Sequence, residues 1–251
     1  MNCALELPSF ISFPQLKTLH LALVTFLDDD STQKLLTSCP VLQELIILDC
    51  EWMNLKHIVV SIPTLKSFTI DDLPYFGSAD ELNGCEIKID AANLTFLNYT
   101  GCLLNEIVLS NLPSLVNAHV CVPLLGKRQK EIAYRAVKVL RGLHSVKSMR
   151  MSTGTIEGSN PHVRCDEEDW NLKPVPNCFL SCLKSVNLHN FHGNYEEMCM
   201  LKYLLKNALV LERLNIFCSK SPSGDSKKQK EVVDQLDMVP RASTSCVIMF
   251  L

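Results

Sequence analysis

The sequence shows little excess of charge of either sign and no long apolar run. Its 251 residues carry 24 Lys and Arg against 27 Asp and Glu, a formal net charge of -3, so no broad electrostatic attraction to nucleic acid or to an anionic membrane is expected. No stretch approaches the roughly eighteen apolar residues of a membrane span, and residues 1–14 lack the features of a secretory signal. These absences predict a cytoplasmic or nuclear chain that binds neither nucleic acid nor membrane.

The sequence also lacks the short motifs that most often mark an enzyme. None of GxSxG, GxxxxGKS/T, HExxH and GxGxxG occurs, and these patterns carry the nucleophiles, phosphate loops and zinc ligands of common catalytic sites. The 7 histidines are dispersed, and the acidic runs at 28–30 and 71–72 lack the alternating oxygen ligands of a calcium loop. We therefore predict that the chain is not an enzyme, with no catalytic residue and no cofactor.

The 12 cysteines are scattered through apolar segments and form no CxxC pair. The tightest group, Cys178 and Cys182 followed by His189 and His192, offers two thiols and two imidazoles that zinc could bind. If residues 183–188 form a strand, however, Cys182 and His189 fall on opposite faces, because side chains alternate along a strand. We predict reduced, mostly buried thiols and no bound metal.

An apolar repeat is the main positive signal in the sequence. The pattern P-x-L-x-x-L-x-L, in apolar terms, begins at Pro14, Pro40 and Pro63, in steps of 26 and 23 residues. Such steps are typical of leucine-rich repeats, in which each short strand points alternate apolar residues into the core. Looser copies, with steps of 21 to 37 residues, begin at Leu94, Leu115, Val146, Leu183 and Leu211.

Two cysteines occupy the position at which the leucine-rich consensus ends its strand. Cys50 follows the copy that begins at Leu42, and Cys102 follows the copy that begins at Leu94. The consensus places Asn or Cys at this position, where a small polarisable side chain fills the bend beside loop backbone. We therefore interpret both thiols as core packing groups.

The segments between the strand copies differ in pattern. Extended backs are predicted around 55–60 and 104–109, where apolar residues alternate, and helices are predicted over 31–39, 127–143 and 196–209, where apolar residues recur at helical spacing. Together these patterns predict an α/β leucine-rich-repeat solenoid. Its curved parallel sheet is expected on the concave side, with mixed helical and extended backs.

Polar composition divides the chain into three parts. Residues 155–176 contain glycine, prolines and an acidic run, which is loop composition. We therefore predict a repeat region at 1–154, a polar linker at 155–176 and a C-terminal domain at 177–251. The last part repeats the strand spacing and adds a final strand at 247–250, so we expect it to cap the solenoid and cover apolar surface at its end.

Four segments resemble the plant F-box proteins that carry leucine-rich repeats and end in an FBD domain. Residues 7–21 resemble the start of their repeat region, and residues 36–50 are similar to their most recognisable repeat. Residues 178–214 look like the core of the FBD domain, and residues 240–246 resemble its terminal signature. The resemblance therefore spans nearly the whole chain and identifies the C-terminal part as an FBD domain.

The resemblance implies a substrate-receptor role in a cullin-RING ubiquitin ligase, where an F-box docks to the ligase adaptor and the repeats hold the target. The F-box that precedes the repeats in this family does not occur in this sequence. We therefore expect an unknown target protein as partner, and the ligase adaptor only if an F-box exists upstream. The alternative is a stand-alone repeat protein or competitor that binds a protein or small ligand independently of ubiquitination.

The candidate binding surface is the concave face, formed by outward residues between the repeat leucines. Position in the repeat motivates this hypothesis, and it assigns a location without a specific chemistry. The candidate residues are Lys17, His20, Gln43, Glu44, Lys66, Thr69, Phe96 and Asn98.

Overall fold

A computed structural model of the chain describes residues 2–73, 84–122, 129–152, 175–219, 232–236 and 238–251. In chain order the strands are β1 (Cys3–Ala4), β2 (Thr18–Ala22), β3 (Val24–Thr25), β4 (Glu44–Leu48), β5 (His57–Val60), β6 (Ser67–Asp72), β7 (Glu86–Asp90), β8 (Phe96–Gly101), β9 (Glu106–Ser110), β10 (Asn117–Cys121), β11 (Ser148–Ser152), β12 (Ser185–Phe191), β13 (Arg213–Cys218) and β14 (Val247–Phe250). The helices are α1 (Asp29–Thr37), α2 (Gln129–Gly142), α3 (Asn177–Ser181) and α4 (Tyr195–Asn207), and residues 232–236 form a further helical turn.

The central element is a nine-stranded sheet in the order β14-β13-β12-β11-β10-β8-β6-β4-β2. Every neighbouring pair of its strands is parallel, and each strand lies beside the strand of the next repeat copy. Parallel neighbours need a crossover segment between them, which the helices and the extended backs provide. The sheet is open at β2 and β14, and the prediction of an α/β chain with a large parallel sheet is confirmed.

A second, three-stranded parallel sheet, β5-β7-β9, supplies the extended crossovers. Strands β5 and β9 coincide with the two predicted extended backs. Strand β7 is not among the predicted elements, although Cys85, Ile87 and Ile89 alternate there with charged residues and are fully buried. That alternation is the ordinary signature of a strand with one buried face, so the signal for β7 was present in the sequence.

Helix α1 shows how the local sequence sets a helical back. The Asp28 carboxylate accepts a hydrogen bond from the Ser31 N–H at 2.7 Å, which satisfies one of the unpaired donors of the first turn. Leu35 and Leu36 are buried and turn one side of the helix into the core. The predicted acidic cap is therefore present, and the helix begins two residues earlier than predicted.

The other helices follow similar local rules. The described part of the helix predicted at 127–143 is α2, and the helix predicted at 196–209 is α4, which begins at a capping box formed by Asn194 and Glu197. Helix α3 is not among the predicted elements. Its single turn is too short to show helical periodicity.

The inward side chains form one apolar core. Leu45, Phe68, Leu97 and Leu214 are fully buried, and each occupies the same inward position of a repeat copy. The register places Leu45 beside Phe68 and Phe68 beside Leu97. Burial of such a side chain stabilises the fold by roughly 1.5–3 kcal/mol, so this stack strongly favours one alignment of the strands.

The two consensus cysteines lie where the repeat predicts. Cys102 is buried after β8, and Cys50, after β4, is half-buried against the core. The Cys50 thiol donates to the Leu48 carbonyl oxygen at 3.3 Å. Both side chains fill the bend at the end of a strand beside loop backbone.

From β2 to β12, the carbonyl group of the residue before each strand of the large sheet fixes where the next strand begins. The Lys17 carbonyl oxygen accepts hydrogen bonds from the N–H groups of both Gln43 and Glu44, at 2.7 and 3.0 Å. The same double acceptance recurs at the carbonyls of Gln43, Lys66, Thr95, Val116, Lys147 and Lys184. The repeat copies therefore begin at one level, and outward side chains of neighbouring strands come into line.

The predicted polar linker at 155–176 lies outside the described residues apart from its last two positions. The division of the chain at 154 and 177 therefore stays a prediction. In the part of the chain that the structure describes, no helix combines the length and the apolar character needed to cross a membrane.

Strand β8 ends at Gly101, where neighbouring groups leave no room for a side chain. A Cβ placed there would lie 2.8 Å from the Asp72 carbonyl oxygen and 2.8 Å from the Tyr99 hydroxyl. Real Cβ atoms essentially never approach other heavy atoms so closely. The contact of β8 with β6 at this end therefore requires glycine.

Gly101→Ala is expected to lower the free energy of unfolding by about 1–3 kcal/mol, the usual cost of overpacking a filled interior. The measurement is the urea unfolding midpoint of the full chain. Gly84→Ala is the matched control, because a Cβ at Gly84 meets nothing within 4 Å, and it should change the stability by less than about 0.5 kcal/mol. Equal midpoints for the two variants would contradict the close approach.

Candidate functional site

The outer face of the nine-stranded sheet, on the side away from the core, is the candidate site. Half-buried and buried residues alternate along β4, so every second side chain points away from the core. The parallel register lines these outward residues up in three rows across the strands. The first row is Thr18, Glu44, Ser67, Phe96, Asn117, Ser148, Ser185, Arg213 and Val247. The second row is His20, Ile46, Thr69, Asn98, His119, Arg150, Asn187, Asn215 and Met249. The third row is Ala22, Leu48, Asp71, Thr100, Cys121, Ser152 and His189.

Five of the eight residues predicted from the sequence lie in these rows. Glu44 and Phe96 belong to the first row, and His20, Thr69 and Asn98 belong to the second. Phe96 leaves 38% of its surface exposed, so a large aromatic ring is open to a partner on this face. The structure therefore brings these five residues together on one surface, over strands β2 to β8.

The other three predicted residues lie at the rim of the outer face. Lys17, Gln43 and Lys66 come just before β2, β4 and β6, where their carbonyls accept the paired hydrogen bonds of the next strand. The side chains of Lys17 and Lys66 are exposed and that of Gln43 is half-buried. Their backbone fixes the register, and their side chains border the rows.

Strands β4 and β6 give the outer face an apolar centre beside a carboxyl group. Ile46 and Leu48 are half-buried neighbours along β4, and Asp71 lies next to Leu48 on β6. Burial raises the pKa of Asp71, although its carboxylate accepts a hydrogen bond from the Leu73 N–H. This part of the face suits a partner that offers both apolar surface and hydrogen-bond donors.

Asparagine side chains recur in the second row beyond β6. The Asn215 amide nitrogen donates to the Asn187 amide oxygen at 2.7 Å, which joins β13 to β12. The amide oxygens of Asn98 and Asn215 are shielded from solvent and accept no hydrogen bond from any described residue. A shielded, unpaired acceptor costs about 1–3 kcal/mol. The polar row therefore carries hydrogen-bond acceptors that a partner could use.

Arg150 lies near the centre of the outer face between two imidazoles. His119 is its neighbour on β10, and His189 lies one row further along on β12. Burial, followed by the positive charge of Arg150, lowers the pKa of His119, and the same two causes lower the pKa of His189. The lowered pKa favours the uncharged form of both rings. Among the described residues Arg150 has no salt bridge.

The residues around Arg150, His119 and His189 contact one another and hold the side chains of this region in place. The His189 ring stacks on Phe217, with ring centroids 4.2 Å apart and an angle of 5° between the rings. The Asn190 amide nitrogen donates to the Ser152 hydroxyl at 3.2 Å. Ser152 also shares a hydrogen bond with the thiol of Cys121, whose pKa is raised by burial. The third row therefore presents a fixed polar array beside Arg150.

The residues on β10 to β13 are missing from the sequence-based candidates. Their repeat copies have irregular steps, so the sequence-based candidates come from the first four copies alone. The signal was nevertheless present, because the residue between the second and third apolar positions of each looser copy points outward. In the last four such copies that residue is His119, Arg150, Asn187 and Asn215.

Asp72 is a buried carboxyl group below the outer face. Only 6% of its surface is exposed, and its carboxyl oxygen accepts a hydrogen bond from the Asn105 amide at 3.0 Å. Burial raises the pKa of Asp72 to about 7. A raised pKa often marks a functional group, but this one lies in an inward position of β6, among Asn105, Tyr99 and Gly101. Its environment accounts for the shift without any role on the outer face.

The thiols and imidazoles considered for zinc do not converge. Cys178 is buried in α3, and the Cys182 thiol donates to the His144 carbonyl oxygen at 3.1 Å. His189 lies in the third row of the outer face, stacked on Phe217. The residues that the structure describes contain no group of three or more His, Cys, Asp and Glu side chains arranged to hold a metal ion.

Comparison with known proteins agrees with the repeat and with the C-terminal segment. The model of the FBD family matches residues 171–216, and that of the Leucine Rich Repeat family matches residues 16–40. No solved structure gives a significant match. The FBD match includes α3, β12, α4 and the first four residues of β13.

The similar curated proteins are from Arabidopsis thaliana. The chain is 24% identical to an F-box/FBD/LRR-repeat protein over 99% of the chain and 64% of that protein. It is 32% identical to an F-box/LRR-repeat protein over 97% of the chain and 50% of that protein. It is 26% identical to an FBD-associated F-box protein over 98% of the chain and 64% of that protein. The chain thus spans about half to two thirds of the length of these relatives, and the resemblance inferred from the sequence is confirmed.

Asp72→Asn is expected to flatten the dependence of stability on pH. The folded chain keeps the Asp72 proton up to about pH 7, whereas the ordinary pKa is 3.8, so the free energy of unfolding falls as the pH rises through this window. Asparagine has no proton to lose. As the pH rises, the free energy of unfolding of the variant should therefore increase relative to that of the natural chain, by on the order of 1–3 kcal/mol near neutrality.

The measurement is urea unfolding of the full chain at a series of pH values. Asp234→Asn is the control, because Asp234 is exposed and its replacement removes the same charge. Parallel curves for Asp72→Asn and the natural chain would show that Asp72 is ionised throughout.

Proposed function

We propose, from the resemblance of the chain to F-box/FBD/LRR-repeat proteins, that it is a protein-binding repeat module whose outer face holds a target protein. The observation that carries the proposal is the alignment of outward side chains in three rows, two of them across all nine parallel strands and the third across seven. At about 4.8 Å between strands, these rows run for roughly 40 Å, which is a length suited to a protein interface. We assign no catalytic residue and no cofactor to this module.

The proposed architecture is a solenoid in which the FBD segment forms the last coils. Strands β12, β13 and β14 extend the same parallel sheet as the repeats before them, and α4 contributes Leu201, Leu204 and Leu205 to the common core. When the crossover side of each coil is wider than the strand side, the stacked coils curve so that the sheet lies on the inner side of the curve. On this proposal the outer face is concave, and the C-terminal segment caps the apolar end.

The names of the relatives suggest a wider setting for this module. We propose that the chain is the substrate-recognition part of an F-box ubiquitin-ligase receptor that acts in the cytoplasm or nucleus. In such a receptor the F-box docks to the ligase adaptor and the outer face selects the target. A stand-alone repeat protein would bind its target through the same face without the adaptor.

A photo-crosslinking residue tests whether the outer face is the binding surface. p-Benzoylphenylalanine replaces either Phe96, in the first row, or Tyr134, which lies on α2 and leaves 60% of its surface exposed. Both replacements exchange one exposed aromatic ring for another. After expression in plant cells and irradiation, the Phe96 position is expected to form a specific adduct, because the target covers it, and the Tyr134 position is not.

The specificity of the adduct is checked by competition with an excess of unmodified chain, which should abolish it. Mass spectrometry then identifies the target, and the ligase adaptor among the proteins that copurify with it would support the receptor role over the stand-alone one. Adducts from Tyr134 alone, or the same adducts from both positions, would refute the assignment of the outer face.

Ending the chain at residue 176 is expected to cost solubility. The cut removes β12 to β14 and α4, and it leaves β11 as an uncovered edge with inward Met149, which is fully buried in the whole chain. Uncovered apolar surface favours aggregation. Size-exclusion chromatography and thermal melting of residues 1–176 provide the measurement. If that fragment stays monomeric with an unchanged melting temperature and residues 177–251 fold alone, the single-solenoid proposal fails.

A further inference from the structure

Exposed cations gather on the C-terminal half of the outer face. This basic strip comprises Arg150 on β11 and Arg213 at the start of β13, together with Lys147 and Lys184, which lie at the rim just before β11 and β12. All four residues are exposed. Lys184 pairs with Glu212 at 2.8 Å, and in the described part of the chain the other three have no salt bridge.

The basic strip contrasts with the remainder of the molecule. Over β2 to β8, the outer face and its rim hold Lys17 and Lys66 against Glu44 and Asp71, so their charges balance. The chain as a whole carries a formal net charge of -3. The strip is therefore a local concentration of positive charge that the composition does not explain, and such a patch favours a partner of opposite charge.

Arg150 has the surroundings of a carboxylate-binding group. A guanidinium presents paired N–H donors that match the two oxygens of a carboxylate. The His119 ring stands beside Arg150 in the register and the His189 ring lies one row further along β12, and the lowered pKa of each favours an uncharged ring that does not repel the guanidinium. Asn187 beside it and Ser152 in the next row offer further polar groups to the backbone of a bound segment.

We propose that the basic strip binds an extended acidic segment of the target protein, with an Asp or Glu carboxylate on Arg150 and further carboxylates on Lys147 and Arg213. This inference rests on the proposed function. The cations are spread over three adjacent strands, about 4.8 Å apart, so they match a series of separate carboxylates. A single phosphate group would need several donors that converge on one point.

The length of the segment follows from the same spacing. An extended peptide advances about 3.3 Å per residue, so four or five of its residues cross strands β10 to β13. Carboxylates on alternate residues then point to one side and lie within reach of successive cations. Nucleic acid is less suited to this surface, because the half-buried ring of Phe217 on β13 is already covered on one side by His189.

The test uses the purified full chain and fluorescein-labelled peptides of about eight residues, long enough to cross the strip. One peptide alternates Glu with Ser, and the controls alternate Gln or Lys with Ser. Fluorescence anisotropy at low ionic strength is expected to show binding of the Glu peptide alone. The affinity should fall as salt is added, because the charges are exposed to screening.

Substitutions then locate the binding surface. Arg150→Gln is expected to weaken binding of the Glu peptide about fivefold to tenfold, and the double variant Lys147→Gln/Arg213→Gln is expected to weaken it further. Lys56→Gln is the matched control, because Lys56 is an exposed cation before β5, away from the outer face. Lys56→Gln removes one positive charge, as Arg150→Gln does, and this variant should bind the Glu peptide as the natural chain does. Thermal melting should be unchanged in all variants, since these side chains are exposed.

Three results would overturn the inference. Equal losses in Arg150→Gln and Lys56→Gln would show that binding follows net charge. Tighter binding of a phosphoserine peptide or of a single-stranded oligonucleotide of equal charge would assign the strip to phosphate. Failure of the Glu peptide to bind would refute the inference that the strip binds an acidic segment. The proposed function would be unaffected, because the crosslink from Phe96 tests it without reference to charge.

Discussion

From β2 to β12, a single carbonyl oxygen before each strand of the large sheet accepts hydrogen bonds from two successive N–H groups at the start of the next strand, and this sharing sets the register on which the large sheet depends. A slip of one residue would turn every inward side chain to the outer face. The buried stack of Leu45, Phe68 and Leu97 opposes such a slip, so the backbone and the core enforce the same alignment. An outward residue of one repeat therefore lies beside the equivalent residue of the next, whatever length of chain separates them.

That alignment separates the requirements of folding from those of binding. Inward positions must be apolar and of suitable volume, because they stack at close-packed density. Outward positions have no such requirement, and along the second row they change from Ile46 through Thr69 and Asn98 to Arg150. In this row the shielded amide oxygen of Asn98 accepts no hydrogen bond from a described residue. Sites of interaction are where such exceptions are expected.

The sequence predicts which segments form strands and helices better than it predicts which of these elements lie side by side. Nearly constant spacing identifies the strands of the first three copies, and an acidic cap with buried leucines identifies α1. The single turn of α3 leaves no periodicity to detect. The candidate residues all come from β2 to β8, because outward positions could be inferred only where the copies align closely. The neighbourhood of Arg150 depends on the pairing of β10, β11 and β12 across segments of unequal length, and that pairing is a property of the folded sheet.

Screening by salt decides how a face of this kind distinguishes one target from another. At physiological ionic strength, interactions between exposed charges fade over about 8 Å, which is less than two strand spacings of about 4.8 Å. A charge on a target above Arg150 therefore responds to β10, β11 and β12, and hardly to Asp71, three strands away on β6. The net charge of the chain has little influence at this range. Positive charge over β11 to β13 beside balanced charge over β2 to β8 favours the C-terminal strands as the position of an acidic segment, because carboxylates placed above Glu44 and Asp71 would meet like charges.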